Sequence, residues 1–271
     1  SSAGATVEHS SAGATVEHSS EGATVEHSSE QLERLVRDAV DASPAFASMR
    51  EPVANTFAIY VNGRRRAVNT MRPSPAADAP DPFLSYSAAP APVEADAYLP
   101  DLIHKTGQKS DGRSEVAPGD MKTKQIRPVY GRSRMPGPSG VTEVDVVLGI
   151  PGASHFAMRT DERTTDDRAP CGLSLLSAGI AFCYMTQLSR YIEYQKMAIR
   201  AVRLVQDIPY TIRADGDRWI GGLEPADTHL FLSGDEDDET FERLMRIAER
   251  TCYLHSTLSG SLPPTISVTR K

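Results

Sequence analysis

The chain holds three cysteines, Cys171, Cys183 and Cys252, and these are the side chains best suited to chemistry. A thiol attacks only as the thiolate, so its reactivity is set by burial and by nearby charge. Cys183 lies in the stretch Pro170–Leu188, which contains no charged residue. A buried cysteine is also a good small hydrophobe, and the local sequence leaves both roles open for Cys183. Cys252 ends a run in which Phe241, Leu244, Met245 and Ala248 recur at helical spacing. Cys171 sits at the predicted start of the central helix, where it is either structural or an alternative redox thiol. His255, three residues after Cys252, is a candidate proton shuttle or a helix-end cap. Three cysteines in a long chain make no structural disulfide framework, which fits a reducing, cytoplasmic setting with one redox pair.

Other chemistries find little support. There is no Gly-rich phosphate loop, no metal-binding His or Cys pair and no nucleophile elbow. His9, His18 and His27 recur in a polar repeat too sparsely to predict a metal site, and no cofactor is expected. The triple Arg64–Arg66 is either an anion site or the charged face of an edge strand, and the second is favoured. The acidic run Asp235–Glu239 lacks the spacing and glycine of a calcium loop and suits the start of a helix. A net charge of −7 argues against nucleic acid or an anionic membrane surface as partner.

The elements that must position these residues can be read in outline. Residues 1–27 are three copies of a nine-residue repeat, expected to be a flexible or appended tail, with a strand added to a sheet as the alternative. Residues 28–71 read as a helix opened by a Ser28/Gln31 capping box, with Leu32, Leu35, Val36, Ala39 and Val40 as its apolar stripe, and then a hairpin turning at Asn62-Gly63. Residues 72–120 form a Pro-rich insertion or linker followed by irregular, basic sequence, with a strand expected near Gln125–Tyr130. Residues 121–271 read as one α+β domain: a hairpin over Val141–Thr160, a buried central helix from Pro170 to about Met197, strands at Ile199–Gln206 and Thr228–Leu232, a second helix, and a final strand at Thr265–Thr269. Asp207–Asp227 between those strands reads as a polar connection. The central helix is apolar nearly all round, so a core helix is expected rather than a membrane span.

The segments Leu175-Leu176-Ser177-Ala178-Gly179-Ile180-Ala181-Phe182-Cys183-Tyr184-Met185 and Ala248-Glu249-Arg250-Thr251-Cys252-Tyr253-Leu254-His255-Ser256 resemble the two cysteine motifs of the OsmC/Ohr family. The element order over residues 121–271 is similar as well. The resemblance implies an antiparallel sheet packed around a long buried helix, an intertwined homodimer, and thiol-dependent reduction of organic hydroperoxides with a thiol or dithiol as reductant. It implies that Cys183 is the peroxidatic thiol, oxidised to a sulfenic acid, and that Cys252 resolves it as a Cys183–Cys252 disulfide. The family's activating arginine falls at Arg163, with Arg159 and Arg168 as neighbours; a solvated loop charge is the other reading of Arg163. The family's supporting glutamate has no counterpart: Leu173 and Ser174 stand at the matching positions, leaving Glu162, Asp166 and Asp167 as substitutes from the loop. Two other readings stay open: a catalytically impaired relative that binds a small apolar ligand, which the missing glutamate supports, and a structural component of an assembly, with the nine-residue repeats and the Pro-rich arm as contact segments.

Overall fold

The computed structural model describes residues 3–9, 12–18, 28–81, 102–112, 128–135, 141–162, 168–262 and 265–270. The fold is mixed α+β, as the sequence predicts. Its residues divide into two compact units: Ser1–Ala39, Val93–Gly172 and Pro264–Lys271 form one, and Val40–Pro92 with Leu173–Pro263 form the other.

The first unit is built on a seven-stranded sheet. It contains β1 (Ala3–His9), β2 (Ala12–His18), β5 (Ile103–Lys109), β6 (Val129–Met135), β7 (Val141–Leu148), β8 (Ser154–Asp161) and β13 (Thr265–Arg270), in the order β13-β1-β2-β6-β7-β8-β5. The first two copies of the nine-residue repeat carry the strands β1 and β2. Two antiparallel repeats pair with each other, and β2 then runs parallel to β6. Of the strand expected near Gln125–Tyr130, residues 125–127 lie outside the described residues, while Val129 and Tyr130 open β6. β5 was not expected at all: Ile103–Lys109 is exposed throughout, so it shows no apolar alternation to read. The Val141–Asp161 hairpin is as predicted, turning at Gly152 with φ +80°.

Helix α1 (Ser29–Ala42) begins with the capping box: the Ser28 amide donates to Gln31 Oε1 at 2.8 Å and the Gln31 amide to Ser28 Oγ at 3.2 Å. Its predicted apolar stripe is mostly not buried. Leu35 is 63 % exposed and only Val40 is fully covered, because periodicity reports an apolar face and not what lies against it.

The second unit has a four-stranded sheet, β4-β3-β12-β9, made from β3 (Thr56–Val61), β4 (Arg64–Arg66), β9 (Ile199–Asp207) and β12 (Asp227–Gly234). β3 runs parallel to β12, and the other neighbours are antiparallel. Phe57, Ile59 and Val61 of β3 join Leu230 and Leu232 of β12 on one face. Onto that face pack α3 (Gly172–Gln195), through Tyr184 and Leu188, and α4 (Asp238–Thr251), through Phe241, Leu244, Met245 and Ala248. Ala58, Tyr60 and Phe231 point the other way and are buried too, which is why β3 lacks a polar face. Each large apolar side chain buried here contributes roughly 1.5–3 kcal/mol.

Arg64–Arg66 is an edge strand, as favoured, and Arg65 also ties down the following segment by donating to the carbonyls of Ser74 and Ala76. Asp237 caps α4 by accepting the Thr240 amide at 2.7 Å, and Asp238 and Glu239 fill its first turn, so the acidic run serves the helix dipole.

Three features depart from the sequence reading. Asp207–Asp227 contains a hairpin, β10 (Tyr210–Asp215) and β11 (Arg218–Leu223). Its strand faces are largely exposed, so alternation again gave no signal. A short helix α2 (Pro44–Arg50), absent from the sequence reading, follows α1, with Ser43 as N-cap and proline in the first turn. A Cβ on Gly221 of β11 would fall 2.4 Å from the Ser43 carbonyl carbon, so only glycine allows that approach. Finally, α3 is not buried all round. Ile180, Tyr184 and Leu188 form one covered stripe, while Phe182 is 72 % exposed and Tyr194 81 %. The helix ends at Gln195, before the expected Met197, where Lys196 takes φ +51°.

Candidate active site

Cys183 and Cys252 are brought together in the second unit. Cys183, in the middle of α3, packs against the core cluster that contains Cys252, near enough for its sulfur to disfavour ionisation of the Cys252 thiol. Both are free thiols; Cys183 is half-buried and Cys252 fully buried.

Cys252 is the single residue between two helices, a break the sequence reading did not anticipate. It is the C-cap of α4 and, at once, the N-cap of α5 (Tyr253–Leu258). The sequence placed this thiol only at a helix C-terminus, where amide donors are absent. In the fold, the His255 and Leu254 N–H groups at the start of α5 favour its ionised form. They do not prevail. Burial, reinforced by the Cys183 sulfur, pushes the Cys252 thiol up to about 12.

His255 faces this sulfur. Its Nδ1 lies 3.2 Å from Cys252 Sγ, made possible because the ring is one turn into α5 and folds back along it. The ring is 1 % exposed and lies 4.9 Å from the Tyr184 ring centroid and 6.2 Å from that of Phe57. Burial lowers its pKa from 6.5 to about 4, so the imidazole is neutral near pH 7. Nε2 lies 3.2 Å from Gln206 Nε2, and the Gln206 amide group donates to Thr228 Oγ1 at 2.9 Å. Gln206 Oε1 is buried with no hydrogen-bond partner among the described residues. The amide end that faces His255 fixes which ring nitrogen carries the proton. With the nitrogen end there, Nδ1–H donates to sulfur. With the oxygen end there, Nε2–H donates to glutamine and Nδ1 is free to accept the thiol proton.

The surroundings close the site from below. Tyr184 is fully buried and donates through its hydroxyl to the Met245 carbonyl at 3.1 Å; burial, then the charges of Glu249 and Cys252, hold its pKa well above the ordinary value. Burial also raises Glu249. Gln206, Thr228 and Tyr184 were not anticipated as site residues. Gln206 shares a strand face with Leu204 and Val202, which pack on the core, and nothing local marks it as facing a thiol on a distant helix.

Other predicted site residues fall elsewhere. Arg163, Asp166 and Asp167 lie outside the described residues. Arg159 belongs to β8 and pairs with Glu143. Glu162 Oε1 accepts the Gly172 amide at 2.6 Å, so this carboxylate holds the start of α3. Leu173 is half-buried and Ser174 exposed. The side chains of His9, His18 and His27 are outside the described residues.

A second polar cluster has the residue types of a hydrolytic triad without its geometry. Ser74 Oγ donates to Asp227 Oδ2 at 2.7 Å, and His229 Nε2 lies 3.1 Å from the same carboxylate oxygen. The other ring nitrogen is 3.2 Å from the Tyr60 hydroxyl. Serine and aspartate thus crowd one imidazole nitrogen, whereas a triad needs them on opposite sides. Burial acts to raise Asp227, but hydrogen bonds from Thr56, Ser74 and His229 outweigh it and hold its pKa low. The cluster fastens the segment after β4 to β12.

Residues 165–267 match the family model described as OsmC-like protein. Over this segment the chain is OsmC-like. The match includes Cys183, Gln206, Thr228, Cys252 and His255. Solved structures to which the chain is similar include an OsmC-like hydroperoxide resistance protein from Jannaschia sp. CCS1, at 24 % identity over 48 % of this chain and 83 % of that one, with a TM-score of 0.32. An OsmC-like protein from Mycoplasma pneumoniae is 14 % identical over 51 % of this chain and 89 % of that one, with a TM-score of 0.38. An organic hydroperoxide resistance protein OsmC from Legionella pneumophila is 15 % identical over 51 % and 93 %, with a TM-score of 0.35. No curated protein matches the chain. Likeness at this level transfers no residue role to the OsmC-like segment.

Proposed function

We propose that the OsmC-like segment is a thiol-dependent peroxidase that reduces organic hydroperoxides. The observation that carries this reading is the adjacency of two free thiols of unequal character, Cys183 and Cys252, with an imidazole against the second. Cys183 is the accessible thiol of the pair. Its thiolate attacks the terminal peroxide oxygen; the S–O bond forms as the O–O bond breaks, and the alcohol leaves with one proton. Cys252 is fully buried and held protonated, so it is a poor first nucleophile and a suitable second one. Its sulfur displaces hydroxide from the Cys183 sulfenic acid, giving the disulfide and water. The proton it must lose passes to His255 Nδ1 when the Gln206 carbonyl end receives Nε2–H. An external thiol or dithiol then reduces the disulfide.

Arg163 is carried over from the family resemblance alone as the residue proposed to activate the Cys183 thiolate. The exposed apolar side of α3 around Phe182 supports a homodimer in which a second copy covers it, and the free thiols suit a reducing cytoplasm. Leu173 and Ser174, at the positions where the family resemblance implies a supporting glutamate, favour the competing reading of an impaired relative that binds an apolar ligand.

Mass spectrometry after one equivalent of cumene hydroperoxide separates the two. The peroxidase reading expects a Cys183–Cys252 disulfide and loss of peroxide consumption in Cys183→Ser. Thiols that stay reduced, or a Cys183→Ser variant as active as the parent, would refute it.

A further inference from the structure

One face of the seven-stranded sheet holds a cleft of about 560 Å³, within the range of roughly 300–1,000 Å³ usual for small-molecule sites. The strand register explains both the hollow and its charge. Arg132 pairs with Asp145, Asp145 with Ala157, and Ala157 with His104, making one row across β6, β7, β8 and β5. Ala157 is the small residue of that row, and the cleft opens over it between larger neighbours. The adjacent row carries Arg134, Glu143 and Arg159.

The charges in these rows do not cancel. Glu143 receives two guanidiniums, Arg134 at 2.6 Å and Arg159 at 3.6 Å. Asp145 is taken by His155 Nδ1 at 3.1 Å, although its partner across the ladder is Arg132. The Arg132 side chain, which lines the cleft, forms no ion pair or hydrogen bond among the described residues. A face serving only to solubilise the sheet would pair Arg132 with the carboxylate directly opposite it. Here that carboxylate is held from the other side, and a guanidinium fork is left at the wall of a cavity.

We propose that this cleft binds a small phosphate monoester bearing hydroxyl groups, independently of the thiol chemistry in the other unit. The planar guanidinium of Arg132 presents paired N–H donors that match a phosphate. Asp145, whose oxygens retain accepting capacity beside the histidine, takes a hydroxyl of the ester. Ala157 leaves room for the carbon chain.

The test is calorimetric titration of the full chain at low ionic strength with glycerol 3-phosphate, inorganic phosphate and glycerol. Glycerol 3-phosphate is expected to bind more tightly than inorganic phosphate, glycerol not at all, and affinity to fall as salt rises. Arg132→Gln should weaken binding by about tenfold or more. Ala157→Leu should abolish binding by filling the hollow while leaving Arg132 in place, with circular dichroism confirming the fold of both variants. Absence of saturable binding up to about 10 mM for either phosphate compound, or affinities for both folded variants equal to the parent's, would overturn the proposal.

Discussion

His255 Nδ1 lies 3.2 Å from Cys252 Sγ, and both atoms belong to fully buried side chains. Neither group is charged near neutral pH: the thiol is pushed up to about 12 and the imidazole down to about 4. A proton moving between them makes an ion pair where none stood, so the pair is set to act only when the sulfur has an electrophile to attack.

This relation predicts which kinetic step His255 serves. In His255→Gln the first equivalent of peroxide should still be consumed, because that step belongs to Cys183. Disulfide formation at pH 7 should slow by roughly 100-fold, the lower end of what a general base supplies. Rapid quenching with a sulfenic-acid trap reads the intermediate directly. If the trapped fraction is no greater than in the parent, His255 does not take the proton.

The same histidine predicts a pH dependence of stability. Its folded pKa is depressed from 6.5 to about 4, so the unfolded chain binds the proton first as pH falls. The stabilisation is complete above pH 6.5 and is lost progressively down to about pH 4, to an extent of about 3 kcal/mol. Urea titrations across that window should show the loss in the parent and a nearly flat profile in His255→Gln.

Tyr184→Phe tests how the site is fastened. The hydroxyl donates to the Met245 carbonyl inside the core, and its removal leaves that carbonyl without this donor. A loss of about 1–2 kcal/mol is expected, read from the shift in denaturant midpoint at unchanged slope. No loss would mean that the hydrogen bond is worth no more than its replacement.

The β3–β4 turn offers a control remote from the thiols. Gly63 adopts φ +79° and a Cβ there would meet nothing within 4 Å, so Gly63→Ala carries only the conformational cost of a left-handed residue. About 1–2 kcal/mol of destabilisation is expected, with peroxide turnover per folded molecule unchanged.

Local sequence chemistry determined much of this protein. The Ser28/Gln31 box, the Asn62-Gly63 turn, the Val141–Asp161 hairpin, the acidic start of α4 and its apolar stripe are all interactions between near neighbours, so residue order alone specifies them. The two thiols were legible in the same way, from the stretches that carry them. Tertiary structure decided what the chain order does not encode. It left α1 and one side of α3 uncovered, and it made strands of the exposed segments at 103–109 and 210–223, whose side chains carry no buried face to read. Above all it placed Gln206 of β9, itself bonded to Thr228 of β12, beside the imidazole that Cys252 meets one helical turn later. Sequence named the sulfur; only the packing of distant elements in a low-dielectric core gave it a protonation state and a base.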